Sequence, residues 1–298
     1  MASNRERIIA TVKENVSLSA FDASTGERLG VVPVGVKDTA KPHEIAVTRD
    51  GKRAFVSLYG DKDYGPNTPD NRLGVVDLEN MAFLGHVDLS LYRGPHAMMT
   101  DVDGNIWVTV DHNRCVLVID PDSWEIERTI HLEVPGHFLA PSPDGRTVYF
   151  SAKEYPVVCE VDVATREITA RIQVPVGGQA IRVSPDGGKL YVGDFHRPLL
   201  HVIDTATRKL VQTVPLTGVP GWPFNDLDGD LVIVTTYDDP ADTGYVNLLD
   251  SRDLTRRRVV AVPSEPFHAL PLKDGVHALV ALADGTIAKI DLKKAALV

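Results

Sequence analysis

Short apolar runs of four to six residues, each broken by a polar turn, follow one another along the whole chain. The unit is clearest between Gln179 and Gly218. Ala180 to Val183 is a first strand and Ser184-Pro185-Asp186-Gly187 its turn. Leu190 to Gly193 is a second strand, followed by a polar loop from Asp194 to Pro198. Leu199 to Ile203 is the third, Asp204 to Arg208 its turn, and Leu210 to Val214 the fourth. Alternating, β-branched runs bounded by such turns predict strands, and Pro and Gly supply the backbone angles that the turns need. The third strand closes on an aspartate in every copy: Asp22, Asp77, Asp120, Asp162, Asp204, Asp250 and Asp291, spaced 41 to 55 residues apart. Four strands in a period of this size predict an all-β, seven-bladed β-propeller of four-stranded antiparallel blades. One domain over 1–298 is expected, with approximate blades 6–35, 42–90, 95–134, 136–175, 178–217, 220–263 and 266–298.

The first-strand turn recurs with Asp-Gly at 50–51, 103–104, 144–145, 186–187, 228–229 and 274–275, one copy fewer than the third-strand aspartates. The first unit starts directly at its second strand, Ile8 to Val12. Either the first blade has three strands, or a terminus supplies its fourth. The tail from Lys293 to Val298 is short for completing its own blade and also closing the ring.

Ser-Pro-Asp-Gly at 142–145 and 184–187, Leu-Tyr-Val-Gly at 190–193 and Val-Ile-Asp-Thr-Ala-Thr at 202–207 are similar to the repeats of the YVTN-repeat β-propellers, related in architecture to WD-repeat and lactonase-type propellers. The resemblance covers essentially the whole chain and implies the propeller fold. It implies no single activity, since the family includes enzymes and binding proteins alike.

The formal charge of −10 over 298 residues argues against a sequence-blind phosphate-backbone binder, which needs a basic stripe, so no nucleic acid partner is expected. The dense basic cluster Arg252, Arg256, Arg257 and Arg258 reads as a solvated strand-and-turn edge. Cys115 and Cys159 sit at different registers of neighbouring third strands and read as separate buried thiols. No stretch is long enough to span a bilayer, and Met1 to Arg7 runs into a strand without an apolar signal core. A cytoplasmic protein with no membrane partner is the expectation.

In a propeller the approach to each first strand and the second-to-third-strand loop share one rim, and irregularity there is informative. The residue eight before each turn glycine reads His43, His96, His137, Gln179, Gly221 and Phe267. Three histidines thus hold equivalent places in consecutive blades. His268 is one residue out of register and shares its place with Trp222. The second-to-third loops begin with Glu14, Gly60, His112, Glu154, His196, Asp238 and Asp284, preceded by Lys13, Tyr59, Asp111, Lys153, Phe195, Tyr237 and Ala283. The loops at 61–71, which carries Tyr64, and 239–244 are enlarged, as lids and specificity walls often are.

Two chemistries suit these residues. In one, His43, His96 and His137 ligate a divalent transition metal (Zn, Fe or Cu) and Glu154 is the base. In the other, His137 or His196 is the general base, with Glu154 or Asp111 as acid or orienter. Trp222, Tyr64, Tyr155, His268 and Tyr237 line the substrate side. Elimination, isomerisation or ester hydrolysis of a small-molecule substrate fits either, giving an enzyme of lyase, isomerase or hydrolase type. No nucleotide cofactor is expected, because there is no glycine-rich phosphate loop before a helix, nor is there a Gly-x-Ser-x-Gly elbow. The alternative is a non-catalytic scaffold that recognises a protein or small ligand on the same rim.

Overall fold

The computed structural model describes residues 6–62 and 68–298. Seven antiparallel sheets succeed one another in chain order, giving a seven-bladed β-propeller of the all-β class. Six blades have four strands. The first has three among the described residues, Arg7–Val12, Ser17–Asp22 and Arg28–Pro33. The tail strand Ala296–Leu297 pairs with Ile287–Asp291 of its own blade. This answers the question left open by the short C-terminal segment. By internal contacts the chain falls into two compact units, 1–137 with the first three blades and 138–298 with the other four.

The repeated aspartates have a structural purpose. Each accepts backbone N–H groups from the turn between the third and fourth strands: Ser24 and Thr25 on Asp22, Glu79 and Asn80 on Asp77, Asp122 and Ser123 on Asp120. Thr165 does the same on Asp162, Thr207 on Asp204, Arg252 and Asp253 on Asp250, and Lys293 and Lys294 on Asp291. A short carboxylate satisfies donors that the turn would otherwise expose. At the first-strand turns a hydroxyl helps, as when Ser184 donates to Asp186 at 2.6 Å.

A second repeated device lies where each first strand meets the second. The register slips there, so that two residues oppose one: His43 and Glu44 face Ser57, and His96 and Ala97 face Thr109. Gly221 and Trp222 likewise face Thr235, and Phe267 and His268 face Ala281. The bulge is held by the hydroxyl opposite it. Ser57 accepts the Glu44 N–H at 2.9 Å, Thr109 that of Ala97 at 3.0 Å, Ser151 that of Phe138 at 3.1 Å, and Thr235 that of Trp222 at 3.1 Å. Bulges of this kind bend a strand and re-aim its side chains.

Apolar clusters join neighbouring blades within each unit. In the first, Leu73, Val75 and Leu89 pack with Val108, Val110 and Leu117. In the second, Ile233, Val246 and Leu248 pack with Ala278, Val280 and Ile290. Trp124 leans on Gly85, where a Cβ would come within 3.2 Å of the indole. Gly177 is required by close approach, because a Cβ there would lie 1.7 Å from the Lys153 carbonyl oxygen. Neither cysteine is in a disulfide and both are buried, and burial pushes the Cys115 thiol up to about 12. No helix among the described residues is long and apolar enough to cross a membrane.

Candidate functional site

In the unit of residues 1–137, the bulges bring the three equivalent histidines into one stack. His43 and His96 have ring centroids 4.7 Å apart, and His96 and His137 4.4 Å. Tyr59, at the end of the neighbouring second strand, closes on His43 at 5.0 Å and on His96 edge-on at 5.3 Å. The side chains of His96 and His137 are buried. The Nδ1 of His96 lies 3.1 Å from the His137 carbonyl oxygen, an acceptor only, so Nδ1 carries the proton. That leaves Nε2 as the lone-pair nitrogen of the neutral ring. The imidazoles pack against one another tilted, with planes 47° and 33° apart, and one nitrogen is committed to a carbonyl. They do not present a metal-ligand set, and no group of three His, Cys, Asp or Glu side chains among the described residues is disposed to hold a metal ion.

The same bulge carries Glu44. Burial pushes its carboxyl up from the ordinary 4.5 to about 8, and the Lys13 ammonium nearby draws it down only in part. Desolvation disfavours the charged form of an acid, and here it outweighs the neighbouring cation. Glu44 was not singled out from sequence. Its mark was nonetheless there, because among the first strands of the six complete blades the only Asp, Glu, Lys or Arg residues are Glu44 and Arg182.

Arg182 belongs to the unit of residues 138–298, whose first strands carry aromatic side chains. His268 has Trp222 at 5.3 Å, Phe224 at 5.5 Å and Phe138 at 5.9 Å, and Phe267 lies 5.3 Å from Trp222. The Arg182 guanidinium lies 5.1 Å from the Phe224 ring centroid, and its Nε donates to the Pro223 carbonyl at 3.4 Å. Trp222 and His268, which share one register in neighbouring blades, meet through their places in two neighbouring bulges.

The other expected site residues occupy varied surroundings. Asp111 opens a short 3-10 turn, Asp111–Asn113, and is half-buried. Glu154, Tyr155 and His196 are exposed loop residues. The Tyr237 hydroxyl donates to Asp242 at 2.5 Å, and this bond to a carboxylate lifts the phenol to about 12. Tyr64 lies outside the described residues. An unforeseen network occupies the fifth blade. Asp194, fully buried, sits 3.1 Å from Nε2 of His201, whose Nδ1 is 3.1 Å from the Thr213 hydroxyl. Arg197 holds the same carboxylate, with Nη2 at 2.7 Å. Burial alone would raise the Asp194 pKa, but the His196 N–H, Arg197 and His201 outweigh it and hold the group below the usual carboxylate range. The network ties the second-to-third loop to the outer strand.

The sequence matches no family model and no curated protein sequence. Among solved structures, Kuenenia stuttgartiensis hydrazine synthase is similar, with a TM-score of 0.71 at 19% identity, over 87% of this chain and 79% of that one. At that identity the likeness is one of fold, and it agrees with the propeller read from the repeats.

Proposed function

We propose that the unit of residues 1–137 carries a small-molecule active site in which Glu44 exchanges the proton and His43, His96 and His137 bind and orient the substrate. The reaction is of lyase, isomerase or hydrolase type. What supports this reading is the Glu44 carboxyl, pushed up to about 8 by burial, in the same bulge as His43 of the imidazole cluster. An acid tuned close to the working pH is what proton transfer in a transition state needs. At pH 7 such a group is about nine-tenths protonated and ready to donate. His96, with Nδ1–H turned to a carbonyl, keeps its Nε2 lone pair and suits the role of base. Elimination, isomerisation and ester hydrolysis all need such a pair.

The test is turnover of a panel of small aryl esters, lactones and β-hydroxy acids by wild type and by Glu44→Gln, from pH 5 to 10. Turnover that breaks near pH 8 and falls by about 100-fold or more in the variant is expected. No turnover across the panel, together with a Glu44 carboxyl that titrates in the ordinary range by carbonyl NMR, rejects the reading. Undiminished turnover in His137→Ala also counts against it.

The exposed Glu154, Tyr155 and His196 support a second reading for the loops of the 138–298 unit, recognition of a protein partner without chemistry. Substituting all three with alanine would then abolish partner capture and leave panel turnover intact.

A further inference from the structure

Arg182 is the one Asp, Glu, Lys or Arg residue in the first strands of the 138–298 unit. Its Nε hydrogen bond to the Pro223 carbonyl and its contact with the Phe224 ring account for its protein partners among the described residues. Among the described residues no carboxylate pairs with it, and its two Nη groups donate to no protein acceptor. Burial lowers its pKa, but a guanidinium begins so high that it stays charged at any ordinary pH. Arg182 is half-buried, so its guanidinium is still reachable, and a cation with no counter-charge beside it is placed where an anion can be received. A second donor lies on the same run of aromatic side chains. The Nε1–H of Trp222 is buried and has no acceptor among the described residues.

The two uncommitted groups are both donors, so their occupant must be an acceptor. Arg182 packs on Phe224, Phe224 on His268, and His268 on Trp222 and Phe138, so one continuous run of rings joins the two donors. Aromatic walls favour an aromatic guest through edge-on and offset contacts. One planar guanidinium matches one planar carboxylate in charge and in fork geometry. We propose that Arg182, Phe224, His268, Trp222 and Phe138 form a binding site for a small aromatic carboxylate. The guanidinium takes the carboxylate and the rings flank the guest. No residue of this site belongs to the Glu44 cluster, so the two proposals fail separately.

Benzoate is the probe, followed by calorimetry and by proton NMR of the indole N–H groups. Saturable binding is expected, with a dissociation constant of about 1 mM or tighter for so small a ligand, together with a shift of the Trp222 indole N–H. Benzamide, the neutral isostere, should bind at least about 10-fold more weakly, and Arg182→Met should lose roughly 30-fold or more. Trp222→Phe keeps the ring and removes the donor, and a loss of about 5-fold is expected. Glu44→Gln should leave the affinity within about twofold, as no partner is shared. Equal binding of benzoate and benzamide, unchanged binding by Arg182→Met, or displacement by an equal concentration of chloride overturns the assignment. If Arg182→Met fails to fold, the benzoate-to-benzamide ratio on the wild-type protein decides the matter alone.

Discussion

Glu44 and Arg182 are the same experiment performed with opposite charges. Each stands in the first strand of a blade, one next to His43 of the imidazole cluster in the 1–137 unit and the other over the Phe224 ring in the 138–298 unit. Burial drives both toward the neutral form, raising the acid and lowering the base. The consequences differ because the starting points differ. A carboxyl beginning at 4.5 reaches the neutral range and becomes a group that can give or take a proton. A guanidinium begins so far above it that it remains a fixed charge. One surrounding therefore makes acid–base chemistry and the other makes recognition.

The pH dependence of stability is the sharpest way to break this comparison. The folded-state pKa of Glu44 lies above its unfolded value, so its contribution is fully present below about 4.5 and is lost as pH rises through about 8. Urea unfolding of wild type should lose roughly 3 kcal/mol between pH 5 and pH 9 relative to Glu44→Gln. If the two proteins keep the same difference at both pH values, Glu44 is an ordinary carboxylate and the contrast fails. Arg182→Met makes the second, smaller test. Removing an unpaired, half-buried cation should raise stability by about 1 kcal/mol at most, equally at pH 5 and pH 9. A loss of stability would mean that the guanidinium has a counter-charge after all.

How much of this could be read in the chain differs between fold and site. The aspartates that close each third strand were legible because their role is local, a carboxylate bonding to N–H groups two and three residues on. They therefore fixed the number of blades. The equivalence of His43, His96 and His137 was legible for the same reason, since each keeps a constant distance from its turn glycine. The direction of their rings was not. It depends on a bulge, which is a property of two strands, and on the His137 carbonyl lying beside Nδ1 of His96, which belongs to another blade. The rim residues Glu154 and His196 are ionisable groups in exposed loops, and their positions along the chain carry no mark of the crowding that surrounds the first strands. Glu44 and Arg182 were visible as lone charges in otherwise uncharged strands, a mark that gains meaning only once those strands are known to be crowded.

The smallest effect tests whether the two surroundings share one scaffold. Ser57 and Thr235 hold the bulges that carry Glu44 and Trp222, each accepting the N–H of that residue. Both are fully buried. Ser57→Ala and Thr235→Val each leave one backbone donor without its acceptor, at a cost of about 1 kcal/mol. The stability losses should therefore be alike while the local readouts diverge. Loosening the first bulge admits water to Glu44, and its carboxyl should titrate lower, toward 4.5, with the indole resonances unmoved. Loosening the second should shift the Trp222 indole N–H and leave the Glu44 titration in place. If Ser57→Ala lowers stability but Glu44 still titrates near 8, the raised pKa comes from the surrounding blades and the bulge serves only as a hinge for the strand.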